Sequence, residues 1–113
     1  NNMKASISGY AYTDEATRKA VKEVYDRYGY VIDPHGAVGY LALQEYQEKN
    51  PGTNGVILET AHPAKFLPDV EAILEQTITV PPRLAVLRDK KKVADLMPPE
   101  YSPVKEWLLE HLR

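Results

Sequence analysis

Asp33-Pro34-His35-Gly36-Ala37-Val38-Gly39-Tyr40-Leu41-Ala42-Leu43, then Asn50-Pro51-Gly52-Thr53-Asn54-Gly55, then Val56-Ile57-Leu58-Glu59-Thr60: the fold class rests on reading this stretch as helix, turn and strand. Asp is a good N-cap, and Pro is tolerated at the first helical position, where no N–H is required. The pattern therefore predicts a helix from Pro34 to about Lys49. Small or apolar residues lie on every side of its first turns, which marks a buried helix. Gly36 and Gly39 cost helix propensity, roughly 1 kcal/mol each, and close approach to another backbone or to a ligand is the expected offset. The Asn50 to Gly55 cluster is a turn. Val56 to Thr60 is a short apolar run that reads as a buried strand of an α/β sheet.

On the N-terminal side, Ala16, Ala20, Val21, Val24, Tyr25 and Tyr28 recur at helical spacing and form one apolar stripe. Thr13 is the expected N-cap, Asp14 and Glu15 suit the positive end of the helix dipole, and Gly29 suits a left-handed C-cap. Tyr30-Val31-Ile32 is too short and too β-branched for a helix and reads as an extended link or strand. On the C-terminal side, Ala61 to Phe66 is irregular. Pro68 to Glu75 is expected to be helical with Val70, Ile73 and Leu74 inward. Pro81-Pro82 starts a short helix with Leu84, Val86 and Leu87, and Arg88 to Lys92 is a charged loop. Ser102-Pro103 is the expected cap of a terminal helix with a Val104, Trp107, Leu108 and Leu112 stripe. This order belongs to an α/β layered domain, yet one or two strands cannot make a sheet alone. Neighbouring strands are expected from upstream sequence or from a partner chain.

The 113 residues suit one domain or one piece of a larger one, and 43% hydrophobic with 27% charged residues is ordinary globular usage. A net charge of -2 supplies no field for a polyanion, so nucleic acid is not an expected partner. The absence of cysteine excludes disulfides, thiolate-bound zinc, iron–sulfur centres and thiol catalysis. No apolar run is long enough to span a bilayer, and Asn1-Asn2-Met3-Lys4 opens no signal-peptide core, so the expected compartment is cytoplasmic.

Three histidines are available for chemistry. His111, in the last turn of the terminal helix, suits a surface role. His35 opens the second helix and His62 follows the expected strand, and ligands in open α/β sheets lie beyond strand carboxyl ends and near helix N-termini. A histidine at an element boundary is more often a hydrogen-bonded structural residue. A zinc site from these two with Asp33 or Glu59 lacks the i, i+4 pair that sets two imidazoles on one helical face. Glycine-rich phosphate loops, nucleophile elbows and Ser, His and Asp sets at family spacing are all missing. Lys90 to Lys92 lacks interleaved aromatics and reads as a solvated loop.

Asp33-Pro34-His35-Gly36-Ala37-Val38-Gly39, followed by Thr60-Ala61-His62-Pro63-Ala64-Lys65-Phe66, resembles the C-terminal part of the threonine synthase family, in the branch reading D-P-H-T-A-V-G and T-A-H-P-A-K-F. Thr13-Asp14-Glu15 resembles the T-D-E helix start of the wider tryptophan synthase β-like group. The resemblance covers nearly the whole chain, and Gly36 stands where that family usually has Thr. It implies the C-terminal part of a three-layer pyridoxal phosphate fold type II domain, helix-rich with one or two short strands. It further implies conversion of O-phospho-L-homoserine and water into L-threonine and phosphate, with Thr60 hydrogen-bonded to the cofactor's pyridine nitrogen. A neutral hydroxyl can meet that nitrogen without favouring its permanent protonation. Asp33, His35 and His62 are the further candidate cofactor-binding residues, each with a helix-cap or turn role as the alternative. The lysine that carries the cofactor and the phosphate-cradling residues lie upstream in the family, so this chain alone is expected to be catalytically inactive and to self-associate. A freestanding α/β interaction module without catalysis is the alternative function.

Overall fold

The computed structural model describes residue 3 and residues 6–112. Asn1, Asn2, Lys4, Ala5 and Arg113 lie outside them, so of the N-terminal stretch weighed as a leader only Met3 is described. Helix α1 spans Asp14–Tyr28, capped by the Thr13 hydroxyl, which accepts from the Ala16 N–H at 3.2 Å. It ends at Gly29, whose φ of 64° is the left-handed conformation that glycine adopts without a Cβ clash. Helix α2 spans Pro34–Lys49, with Asp33 as its cap. A 3-10 turn, Pro63–Phe66, leads into α3, Leu67–Leu74. Two more helices follow, α4 at Pro82–Ala85 and α5 at Tyr101–His111.

The core lies where α1 packs on α2 and α3. Ala20, Val21 and Val24 of α1 meet Ile32 of the link, Ala37 of α2, and Val70 and Leu74 of α3. A polar brace closes the α1–α2 seam. The Tyr40 hydroxyl donates to Glu23 Oε1 at 3.0 Å and accepts from Gln44 Nε2 at 2.9 Å, while Arg27 Nη1 reaches the same Glu23 oxygen at 2.8 Å. Burial first, and Glu23 second, push the Tyr40 hydroxyl up to about 12, so it stays a donor throughout the physiological range. Val21 is fully buried, so Val21→Ala should cost about 2–3 kcal/mol through lost transfer energy and a residual cavity. Val93, which is 92% exposed, should tolerate the same change. Urea midpoints for the two variants check this, and equal midpoints would place the core elsewhere.

Three sequence expectations need correction. Val56 to Thr60 forms no strand ladder among the described residues, and it is not buried: Val56 is 87% and Leu58 78% exposed. Helix α2 has the expected limits, but only Gly36 and Ala37 are buried and most of its other residues are half-buried. The terminal helix begins at Tyr101 with Glu100 as its cap residue, so Ser102 lies inside the first turn and caps nothing. Its apolar residues Val104, Leu108 and Leu112 are exposed. The first two have one physical cause. A strand is stabilised by neighbouring strands and a helix apolar all round by neighbouring layers, and the described chain supplies neither. The radius of gyration is 18.9 Å, whereas a compact domain of this length measures about 13 Å.

Candidate functional site

The Val56 to Thr60 segment is nevertheless ordered against α2. A Cβ at Gly39 would stand 3.2 Å from Ile57 Cγ2, one at Gly36 would overlap the Glu59 carboxyl, and one at Gly55 would overlap Leu43. Residues 36, 39 and 43 form one helical stripe, and residues 55, 57 and 59 form one face of an extended chain. The segment thus runs antiparallel to α2 with its odd-numbered side chains turned to the helix. The glycine cost anticipated in α2 is offset by close approach, here to side chains of the segment. Val56 and Leu58 face away.

At its carboxyl end the segment opens on a cleft of about 780 Å³ lined by Tyr30, Val31, Glu59, Thr60, His62 and Ile78, among others. Thr60 and His62 are both exposed there. His62 also caps the 3-10 turn, its Nδ1 accepting from the Ala64 N–H at 3.0 Å, which assigns the ring proton of the neutral form to Nε2.

Asp33 and His35 lie one layer behind. Asp33 is fully buried, and its Oδ1 accepts from the His35 backbone N–H at 2.8 Å. His35 Nδ1 is 3.1 Å from the same oxygen, and its ring, 65% exposed, leans on Phe66 with centroids 5.0 Å apart. Two sequence motifs more than twenty residues apart therefore meet at His35–Phe66 and at Gly36–Glu59. Neither Asp33 nor His35 lines the cleft. Lys65 lies apart from it, on a separate groove with Leu84 and Arg88. Among the described residues no group of three His, Asp or Glu side chains is placed to hold a metal. No described helix is long and apolar enough to cross a membrane. His111 stacks on Trp107 at the far end of the chain.

Two residues that sequence reasoning passed over shape the cleft. Glu59, weighed only as a strand residue or metal ligand, turns its carboxyl inward to Gly36 and Asp33, and its Oε2 stands 3.5 Å from the Asp33 N–H. Glu59 is exposed as a residue, but partial burial of its carboxyl pushes it above its ordinary range; the Asp33 N–H opposes the rise and the Asp33 carboxyl adds to it. Tyr30 borders the same cleft, and its hydroxyl is pushed up by burial and then by Glu59 and Asp33. Gly36, an unusual residue at its position, is the sequence signal from which Glu59 could have been found.

A cleft beyond the end of an extended segment, backed by the N-terminus of a small-residue helix, is the kind of place at which α/β proteins bind ligands. Residues 36–108 match the family described as threonine synthase, C-terminal. Threonine synthase of Escherichia coli (strain K12) is 37% identical over 103 residues, 91% of this chain and 24% of that protein. Threonine synthase of Serratia marcescens is 34% identical over 99 residues, 88% of this chain and 22% of its own length. The crystal structure of threonine synthase from Escherichia coli superposes with a TM-score of 0.75 at 38% identity, covering 91% of this chain and 24% of that one. The chain belongs to the threonine synthase C-terminal family, and it spans about a quarter of the length of the relatives it matches.

Proposed function

We propose that this chain supplies one wall of the active site of a pyridoxal phosphate-dependent threonine synthase, a lyase that converts O-phospho-L-homoserine and water into L-threonine and phosphate. The observation that carries the reading is Thr60 in the lining of the cleft, between Glu59, which packs on Gly36, and the His62 turn. The residues present fit the cofactor. The cleft has room for a planar ring, Val31 and Ile78 offer apolar flanks, and Thr60 offers a neutral hydroxyl that can donate to a ring nitrogen. Bound there, the cofactor would supply the electron sink for carbanion chemistry. Thr60 would orient the ring and leave its nitrogen without a charged partner. His62 would line the same cleft, and Asp33 with His35 would hold the helix start beside it.

No lysine lines the cleft among the described residues. The group that carries the cofactor and the cradle for its phosphate belong to the rest of a longer polypeptide, and the 113 residues alone are inactive. In that setting the chain is the C-terminal segment of a cytoplasmic biosynthetic enzyme. The test uses the native full-length polypeptide carrying this segment, loaded with pyridoxal phosphate. It should release inorganic phosphate and L-threonine from O-phospho-L-homoserine in equal amounts. Phosphate without threonine, or no turnover at all, would remove the reading.

A further inference from the structure

Asp33 Oδ2 is buried and has no hydrogen-bond partner among the described residues, although Asp33 Oδ1 accepts from the His35 N–H and lies 3.1 Å from His35 Nδ1. An orphaned buried carboxylate oxygen is costly, and its natural remedy is a donor on a neighbouring group. Glu59 is that neighbour: its Oε2 stands 3.5 Å from the Asp33 N–H nitrogen, and its carboxyl lies over Gly36. The ionisable groups lining the two clefts besides Glu59 are Tyr25, Tyr28, Tyr30, Tyr40 and His62; His35 lies on Asp33, and Glu23 and Arg27 of α1 meet Tyr40. No lysine or arginine among the described residues lines either cleft that meets Glu59, so a proton is the available counterweight to a second negative charge.

We propose that Glu59 is a positioning residue: it keeps its proton, donates it to Asp33 Oδ2 and accepts from the Asp33 N–H, tying the segment that carries Thr60 to the start of α2. Gly36 makes this tie possible, because any side chain there would occupy the volume that the Glu59 carboxyl fills. The threonine usual at that position in the family is thus replaced by a carboxyl reaching in from the neighbouring segment. Positions 36 and 59 form one unit, in which a larger residue at one requires a smaller residue at the other.

The consequence for catalysis rests on the proposed role of Thr60, but the proton and the 36–59 exchange do not. A group whose pKa is raised by folding contributes stability that is full below its unfolded value and is lost as pH rises through the folded value. Stability of the full-length protein should therefore decline as pH rises above the ordinary carboxyl range, and Glu59→Gln should remove that decline. The amide can both donate to Asp33 Oδ2 and accept from its N–H, with no proton to lose. Gly36→Ala should lower the urea midpoint of the full-length protein, as expected for overpacking. Adding Glu59→Ser to Gly36→Ala should restore part of it, the close approach to Ile32 Cγ1 at 2.9 Å remaining.

Urea midpoints from pH 4 to pH 9 read these out. An unchanged pH slope in Glu59→Gln, or a Gly36→Ala effect that Glu59→Ser does not relieve, would overturn the proposal. Either result together with normal threonine formation would remove the Glu59 tie alone. A lost slope and a relieved clash without threonine formation would remove the proposed reaction and leave the tie standing.

Discussion

Thr60→Ala in the full-length enzyme should leave the fold intact and lower cofactor affinity or turnover by roughly ten- to a hundredfold. The substitution removes one hydroxyl and one methyl from an exposed residue, so little packing is lost. In the assembled site, however, it would leave a ring nitrogen unpaired away from water, at a cost on the order of 1–3 kcal/mol, which converts to that factor. Thr60→Ser keeps the hydroxyl and should be nearly silent. Thr53 supplies the control. Thr53 donates its hydroxyl to the Asn50 carbonyl at 2.7 Å, a local turn contact, and alanine there should not touch cofactor binding. Equilibrium titration with pyridoxal phosphate and steady-state phosphate release separate affinity from turnover. Normal values for both Thr60→Ala and Thr60→Ser would return Thr60 to a plain turn residue and move the cofactor contact to His62, the other candidate at the cleft.

Leu58→Asp should have opposite consequences in two contexts. In the 113-residue chain Leu58 is 78% exposed, and Val56 beside it is 87% exposed. A charge there costs the monomer little, within about 0.5 kcal/mol. In the full-length enzyme, where we propose that neighbouring strands cover this face, the same carboxylate would be buried without a partner and should destabilise by several kcal/mol or prevent folding. The bare face also has a consequence for the wild-type chain. Open hydrogen-bonding groups on the Val56 to Thr60 segment and exposed Leu108, Leu109 and Leu112 on α5 favour self-association. Sedimentation should show concentration-dependent oligomers that Leu58→Asp weakens. A monodisperse wild-type monomer that binds no hydrophobic dye, or a full-length Leu58→Asp protein of wild-type stability, would count against an assembled sheet at this face.

The helices of the first half could be read from the sequence because each is set by local chemistry. Thr13 and Asp33 cap their helices through side-chain oxygens, Gly29 takes the left-handed conformation, and Pro34 occupies a position that requires no N–H. Such signals act within a turn of the residue that carries them. The start of α5 was misplaced because Ser102-Pro103 is compatible with a cap, whereas the helix begins at Tyr101 and admits Pro103 within its first turn, where no intrahelical N–H bond is lost.

The pairing of the two motifs, and the residues that matter between them, were decided by tertiary structure alone. Alternation along residues 55, 57 and 59 and the stripe at 36, 39 and 43 are each visible in sequence, but their mutual register is a fact about space. Asp33 read equally well as a helix cap or as a pocket residue, and only packing sealed it behind the cleft, where it caps the helix and faces Glu59. The Val56 to Thr60 run shows the converse limit. Its apolar, β-branched composition specifies a burial that one chain cannot supply, since a strand acquires its hydrogen bonds and cover from segments distant in sequence. Local sequence determined caps, turns and helix faces, because their energies lie between near neighbours. Burial, proton sharing and the cleft were decided by the fold, because each depends on which distant groups displace water from the same volume.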